Sequence, residues 1–242
     1  MTYKIVDNWY ENPDEIRNLS LSNFKTEQYP GLSDKNGDFP GFYPGFRCRT
    51  TIENSVYNLK KFQSIFNNRI KESEWIHTCA VECVDPSLWE FDFLTSKPKL
   101  KEYNLQVNLH APFSSNGCFQ YIPKDSKTWI HSDQGNKWAA VIYLHPDPPK
   151  GTGTGFYKRK KTEQIFHGLY EEDVSAKESL DENDWELHDY VENVYNRCII
   201  YEGKHYHTAS KFFGESVENS RLTQVFFFDV IKDNVLFEYK MS

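Results

Sequence analysis

The stretch Thr128-Trp129-Ile130-His131-Ser132-Asp133 lies between two apolar runs, 118–122 and 138–144. Side chains of a strand alternate with period two, so a strand here places His131 and Asp133 on one face. An imidazole beside a carboxylate supplies two ligands for one divalent metal. Residues 118–122 and 128–133 are separated by Pro123-Lys124-Asp125-Ser126, a turn signal. The run 138–144 is apolar throughout, which predicts a strand covered on both faces.

The pattern continues in both directions. Upstream, 104–110 alternates Leu105, Val107 and Leu109 with polar neighbours. Downstream, Pro146-Asp147-Pro148-Pro149-Lys150-Gly151 stops the apolar run, and Gly155-Phe156-Tyr157 opens another strand. Residues 198–201, 205–208, 222–230 and 235–239 complete the set. Short strands between Gly/Pro turns predict a mainly β sandwich or barrel. Residues 171–194 are rich in Asp and Glu and predict an exposed insertion with some helix.

The first third reads differently. Residues 3–6 are a short apolar stretch, and Asn12-Pro13-Asp14-Glu15 has the composition of a helix start, with Asn12 as cap and Pro13 in the first turn. Residues 27–47 carry Pro-Gly pairs among aromatics and predict a turn-rich loop packed on the body. Val56, Leu59, Phe62, Phe66 and Ile70 recur at three- and four-residue steps and predict a core-facing helix over 54–70. Residues 75–95 give no firm assignment.

A chain of 242 residues suits one β-rich domain. Aromatics make up 16% of it, so the core is built largely from rings. The net charge of -7, with Lys158-Arg159-Lys160-Lys161 as the one basic cluster, argues against a nucleic-acid surface. Cys48, Cys79, Cys83, Cys118 and Cys198 are odd in number and irregularly spaced, which predicts buried thiols in a reducing, cytoplasmic setting. No apolar run approaches membrane-span length, and no signal pattern opens the chain.

The His-x-acid pair alone decides nothing. With 8 His and 35 acids in 242 residues, about one such pair arises by chance. A second pair, His145-Pro146-Asp147, is indeed present. It follows a long strand and sits in a proline-rich turn, where Pro146 disturbs period-two geometry. His131 and Asp133 instead end a predicted strand before Gln134-Gly135-Asn136-Lys137. A third ligand is available from His205 or His207, which share a face in Lys204-His205-Tyr206-His207. Arg221 then heads the apolar strand Arg221-Leu222-Thr223-Gln224-Val225-Phe226-Phe227-Phe228. A cation there is costly to bury unless it meets an anion, and its planar fork matches a carboxylate. Two His and one carboxylate leave three positions open on an octahedral Fe(II). His77, His110, His167 and His188 read as structural or surface residues. The Gly151–Gly155 run lacks the Lys-Ser/Thr ending of a phosphate loop.

Taken in order, His131-Ser132-Asp133, Val141-Ile142-Tyr143-Leu144, the glycine-rich turn 151–156, His207 and Arg221 resemble the Fe(II)/2-oxoglutarate-dependent dioxygenases, in particular the prolyl-4-hydroxylase-like branch. The resemblance covers about 104–230. It implies a double-stranded β-helix (jelly-roll) core over 104–230, flanked by a helical and loop region over 1–100, in a single domain spanning 1–242. It implies His131, Asp133 and His207 as Fe(II) ligands and Arg221 as the residue holding the distal carboxylate of 2-oxoglutarate. Tyr143, Tyr121 and Thr223 stand where the family often contacts that cosubstrate. The usual Gly-Gly-x-Thr turn is replaced by Gly151-Thr152-Gly153-Thr154-Gly155, and the acidic stretch precedes the distal His, so substrate choice is left open.

The implied activity is hydroxylation of a prolyl residue, an amino acid or a related small molecule, with dioxygen consumed and succinate and CO2 released. Halogenases of this class leave the Asp133 position without a carboxylate, so its presence favours hydroxylation. Two other readings stand beside this one: a 2-oxoglutarate oxygenase acting on nucleic acid, opposed by the net charge, and a catalytically silent jelly-roll binding protein, opposed by the intact His131, Asp133, His207 and Arg221. The loops 27–47 and 171–194 are the expected source of substrate contacts.

Overall fold

Two helices of the N-terminal third form where cap and periodicity coincide. Pro13 and the acids Asp14 and Glu15 open α1 (Pro13–Thr26), although the Asn12 side chain makes no capping bond. Thr51 caps α2 (Ile52–Ile65), its side chain accepting from the Asn54 amide. The expected helix over 54–70 thus begins two residues earlier and stops at Phe66, with Ile70 buried just beyond it. In this computed structural model, residues 3–31, 43–67, 70, 89–92, 97–100, 105–106, 117–133, 137–168 and 174–230 are described. The expectations for His77, Cys79, Cys83 and His110, for most of 104–110 and for 235–239 lie outside these residues.

The strands are β1 (Tyr3–Val6), β2 (Tyr29–Pro30), β3 (Phe46–Cys48), β4 (Trp89–Asp92), β5 (Lys97–Leu100), β6 (Leu105–Gln106), β7 (Phe119–Ile122), β8 (Trp138–Tyr143), β9 (Thr154–Arg159), β10 (Trp185–Val191), β11 (Cys198–Glu202), β12 (His207–Ala209) and β13 (Arg221–Phe228). A short helix, α3 (Ala176–Leu180), precedes β10. Strands β4, β5 and β6 form a three-stranded antiparallel sheet.

The other strands make two antiparallel sheets. The larger runs β1-β11-β8-β13-β7-β3-β2 and the smaller β10-β9-β12. The segment 128–133 joins the smaller sheet through one bridge pair, His131 with His207. From β7 onward the chain alternates: larger sheet (β7), smaller (128–133), larger (β8), smaller (β9, β10), larger (β11), smaller (β12), larger (β13). An antiparallel chain that winds between two sheets in this order is a double-stranded β-helix, the jelly-roll expected from the sequence.

Strand β8 shows how the faces are used. Ala140 and Ile142 pack outward into a cluster with Phe24, Leu59, Phe62 and Phe226, under the helices. Ala139, Val141 and Tyr143 point inward, against Phe156, Ile199 and Val225 between the sheets. Both faces are covered, as the continuous apolar run requires.

The acidic stretch 171–194 differs from expectation. Within it, Trp185–Val191 is β10, paired antiparallel with β9. Its middle residues Glu186, Leu187, His188 and Asp189 are exposed while Trp185 and Val191 are buried. An edge strand with one wet face hides its anchors among charges. The side chain of Glu178, on α3, ties the stretch to β9 through a bidentate pair with buried Arg159. Among the described residues no helix is long and apolar enough to cross a membrane.

Candidate active site

His131 and His207 face each other because their backbones pair. His131 N–H donates to the His207 carbonyl at 3.1 Å, and His207 N–H donates to the His131 carbonyl at 2.8 Å. Two residues on, the Asp133 N–H donates to the Gly203 carbonyl at 2.6 Å, which turns its carboxylate back toward both rings. Asp133 Oδ1 lies 3.7 Å from His131 Nε2, and Oδ2 lies 3.4 Å from His207 Nε2. The three ligand atoms all lie within 4.8 Å of one another. Two donors about 2.1 Å from a shared ion lie roughly 3 to 4 Å apart, so small side-chain adjustments suffice.

Backbone carbonyls decide which ring nitrogen is bare. His207 Nδ1 lies 2.8 Å from the His205 carbonyl, and His131 Nδ1 lies 3.1 Å from the Trp129 carbonyl. A carbonyl accepts only, so each Nδ1 carries the proton and each Nε2 presents its lone pair to Asp133. Burial pushes the His207 pKa down to about 4, against the pull of Asp133, which keeps that ring neutral and fit to ligate. Asp133 Oδ2 is buried with no hydrogen-bond partner. An orphaned carboxylate oxygen facing two imidazole Nε2 atoms is costly without a cation, and a divalent ion fits this donor set.

His205 takes no part. Its buried ring packs edge-on against Phe156 and Phe166, each at 4.8 Å, and points away from the cleft. The choice between His205 and His207 therefore falls to His207.

The three residues line a cleft of about 330 Å3 whose wall also includes Arg221, Thr154, Tyr201, Val225 and Phe227. Arg221 is 4% exposed. Its Nε donates to the Thr152 carbonyl at 3.1 Å, and its guanidinium lies 5.4 Å from the centre of the Tyr143 ring. Among the described residues it has no acidic partner, so a buried cation faces the cleft. Burial works against its charge and lowers its pKa from the usual arginine value.

The glycine turn explains the Thr152 carbonyl. A Cβ on Gly153 would sit 1.9 Å from the Val191 carbonyl oxygen, so the turn closes against β10 only with glycine. Tyr190 Oη accepts from the Gly153 N–H at 2.7 Å, and Glu192 accepts from the Gly151 N–H at 2.9 Å.

The other expected cosubstrate contacts divide. Tyr143 is buried beneath Arg221, with its hydroxyl 2.8 Å from Thr154 Oγ1, so it supports the arginine from behind the cleft wall. Thr223 is buried on the inner face of β13 and donates to the Gln120 carbonyl at 3.3 Å. Tyr121 is a correction. It lies on the outer face of β7, between Phe24 and Phe46, and its hydroxyl donates to Gln28 at 3.0 Å. Period two puts Gln120 and Ile122 inward instead, and both line the cleft. Sequence reasoning missed Tyr201, whose ring lies 4.7 Å from that of His207. Its place two residues after inward-facing Ile199 was the available signal. It also missed Arg47, for which no motif exists.

A family model described as "Family of unknown function (DUF6445)" matches residues 118–228, the stretch from β7 to β13. No curated protein matches the sequence. Solved structures similar to this chain include a prolyl-4-hydroxylase from Pseudomonas putida, 9% identical with a TM-score of 0.48, covering 96% of this chain and 93% of that one. A prolyl hydroxylase from Trichoplax adhaerens, solved with a hypoxia inducible factor peptide fragment, is 9% identical with a TM-score of 0.47, covering 94% and 84% respectively.

Proposed function

We propose that this protein is a non-haem Fe(II)- and 2-oxoglutarate-dependent dioxygenase that hydroxylates a prolyl residue, an amino acid or a related small molecule. The observation that carries the proposal is a single cleft with two poles. His131, Asp133 and His207 converge on one wall, and buried Arg221 faces the same space with no acidic partner among the described residues.

Bound Fe(II), with 2-oxoglutarate and dioxygen, supplies the oxidising chemistry, one oxygen atom ending in succinate as CO2 leaves and the other in a substrate hydroxyl. The protein supplies position. His131 and His207 hold their Nε2 lone pairs toward Asp133 because backbone carbonyls fix the Nδ1 protons. Asp133 adds the negative charge that balances a divalent ion. Arg221 receives the far carboxylate of the cosubstrate, with the Thr152 carbonyl and the Tyr143 ring setting its direction. Val141, Val225 and Phe227 give the cleft apolar walls that limit water.

Binding of 2-oxoglutarate to the Fe(II)-loaded protein under anaerobic conditions tests the arginine pole. Replacing Arg221 with Met weakens that binding by about 10- to 100-fold, the worth of a charged hydrogen-bonded pair, while Fe(II) affinity is retained. Equal 2-oxoglutarate affinity in the two proteins contradicts the proposal.

A further inference from the structure

Tyr201 carries a hydroxyl that the reaction as described does not use. Strand alternation puts it on the inner face of β11 with Ile199. It is 2% exposed and lines the cleft beside His131, Asp133 and His207. Its ring is held from two sides, edge-on to His207 at 4.7 Å and to Phe156 at 5.3 Å. These contacts fix where the hydroxyl points, yet among the described residues it makes no hydrogen bond.

Neighbouring tyrosines spend theirs. Tyr43, also in the cleft wall, donates to the Tyr29 carbonyl at 2.9 Å. The Tyr143 hydroxyl lies 2.8 Å from Thr154 Oγ1, and Tyr190 donates to Glu192 at 3.1 Å. A buried tyrosine ordinarily finds a partner for its O–H, and an unpaired one is costly. Phenylalanine would fill the same space without that cost. The Tyr201 hydroxyl is therefore explained by a partner that enters the cleft. Burial raises the pKa of this phenol well above its usual value, so at neutral pH it keeps its proton and its partner is an acceptor.

Register says which end of the cleft that partner occupies. Tyr201 and Phe227 both pair with Ala139, from the two sides of β8. Arg221 heads β13 and Phe227 lies near its far end. Tyr201 thus stands at the opposite end from Arg221, against the metal ligand His207. A neutral donor suits this end, because a second cation would repel the metal and a second acid would repel an anionic ligand.

We infer that the Tyr201 hydroxyl donates a hydrogen bond to the 2-oxo-acid end of 2-oxoglutarate, so that Tyr201 and Arg221 hold the cosubstrate from its two ends. The inference rests on the oxygenase reading and adds a contact residue to it. The two contacts come from strands on opposite sides of β8.

The test reads binding and not turnover. Anaerobic calorimetry on the Fe(II)-loaded chain compares 2-oxoglutarate with pyruvate, which keeps the 2-oxo-acid end and lacks the far carboxylate. Tyr201→Phe keeps the ring and should weaken both ligands about tenfold, with Fe(II) affinity within about twofold of native. Arg221→Met should weaken 2-oxoglutarate alone. Tyr201→Met, which also removes the donor, should repeat the Tyr201→Phe pattern and serves if the first variant melts early. Native affinity for both ligands in a well-folded Tyr201 variant overturns the inference and leaves the oxygenase reading standing. So does a loss confined to 2-oxoglutarate, which would put Tyr201 at the far carboxylate, or a loss that only follows Fe(II) affinity. A native chain that binds neither ligand contradicts the oxygenase reading, and the inference falls with it.

Discussion

The same three-residue pattern occurs twice in this chain and folds to opposite ends. His131-Ser132-Asp133 and His145-Pro146-Asp147 are identical at their outer positions. At the first, Nδ1 faces a carbonyl, so the proton sits there and Nε2 is bare toward the carboxylate. At the second, His145 Nδ1 accepts the Asp147 N–H at 3.2 Å, so a neutral ring carries its proton on Nε2. That ring packs edge-on against Phe213 at 4.9 Å and not toward a second histidine. Ligand capacity therefore depends less on the residue types than on what the backbone offers to Nδ1.

The largest effect that breaks or sharpens this contrast is on metal affinity. His131→Ala should weaken Fe(II) binding by at least about 100-fold, and His145→Ala should leave it unchanged, as read by competition with a chromogenic chelator. Comparable losses in both variants would erase the distinction.

A smaller effect is on titration. Burial lowers the His145 pKa below the usual histidine value, and Arg17 adds to the shift. The sign follows: the folded state binds this proton less readily than the unfolded chain. His145 therefore costs stability as pH falls through the unfolded value near 6.5, and contributes nothing above it. Histidine ring NMR should show His145 titrating below 6.5 with the same midpoint in the apo and metal-loaded protein. A midpoint that moves with metal would place His145 at the metal site.

The smallest expected effect is none. Pro146→Ser makes the second tripeptide identical to the first, yet metal stoichiometry should stay at one ion per chain, because among the described residues no second histidine or further acid gathers with His145 and Asp147. A second ion would mean that sequence pattern alone suffices.

The contrast also shows what could be read in advance. Period two put His131 and Asp133 on one face, and Arg221 on the inner face of β13, because alternation is local. It did not place Tyr121: Tyr121 and Ile122 are neighbours, and only the pairing of β7 with β13 and β3 reveals which of them faces the cleft. The strand pattern gave a sandwich or barrel and the family resemblance the jelly-roll, but β10 was not readable, since its exposed charges resemble a loop. The tautomers were unreadable because the carbonyls of Trp129 and His205 act through local backbone geometry. Arg47 was unreadable because β3 reaches the cleft only through long-range pairing with β7.

The central claim is that the His131, Asp133 and His207 cluster is a 2-oxoglutarate-dependent iron site. The most direct measurement is oxygen-dependent conversion of 2-oxoglutarate to succinate by the purified Fe(II)-loaded protein, beside Asp133→Ala. Succinate from the native chain, lost in Asp133→Ala while the fold melts as before, is the expected result. No succinate from the metal-loaded native chain, or an equal yield from Asp133→Ala, contradicts it.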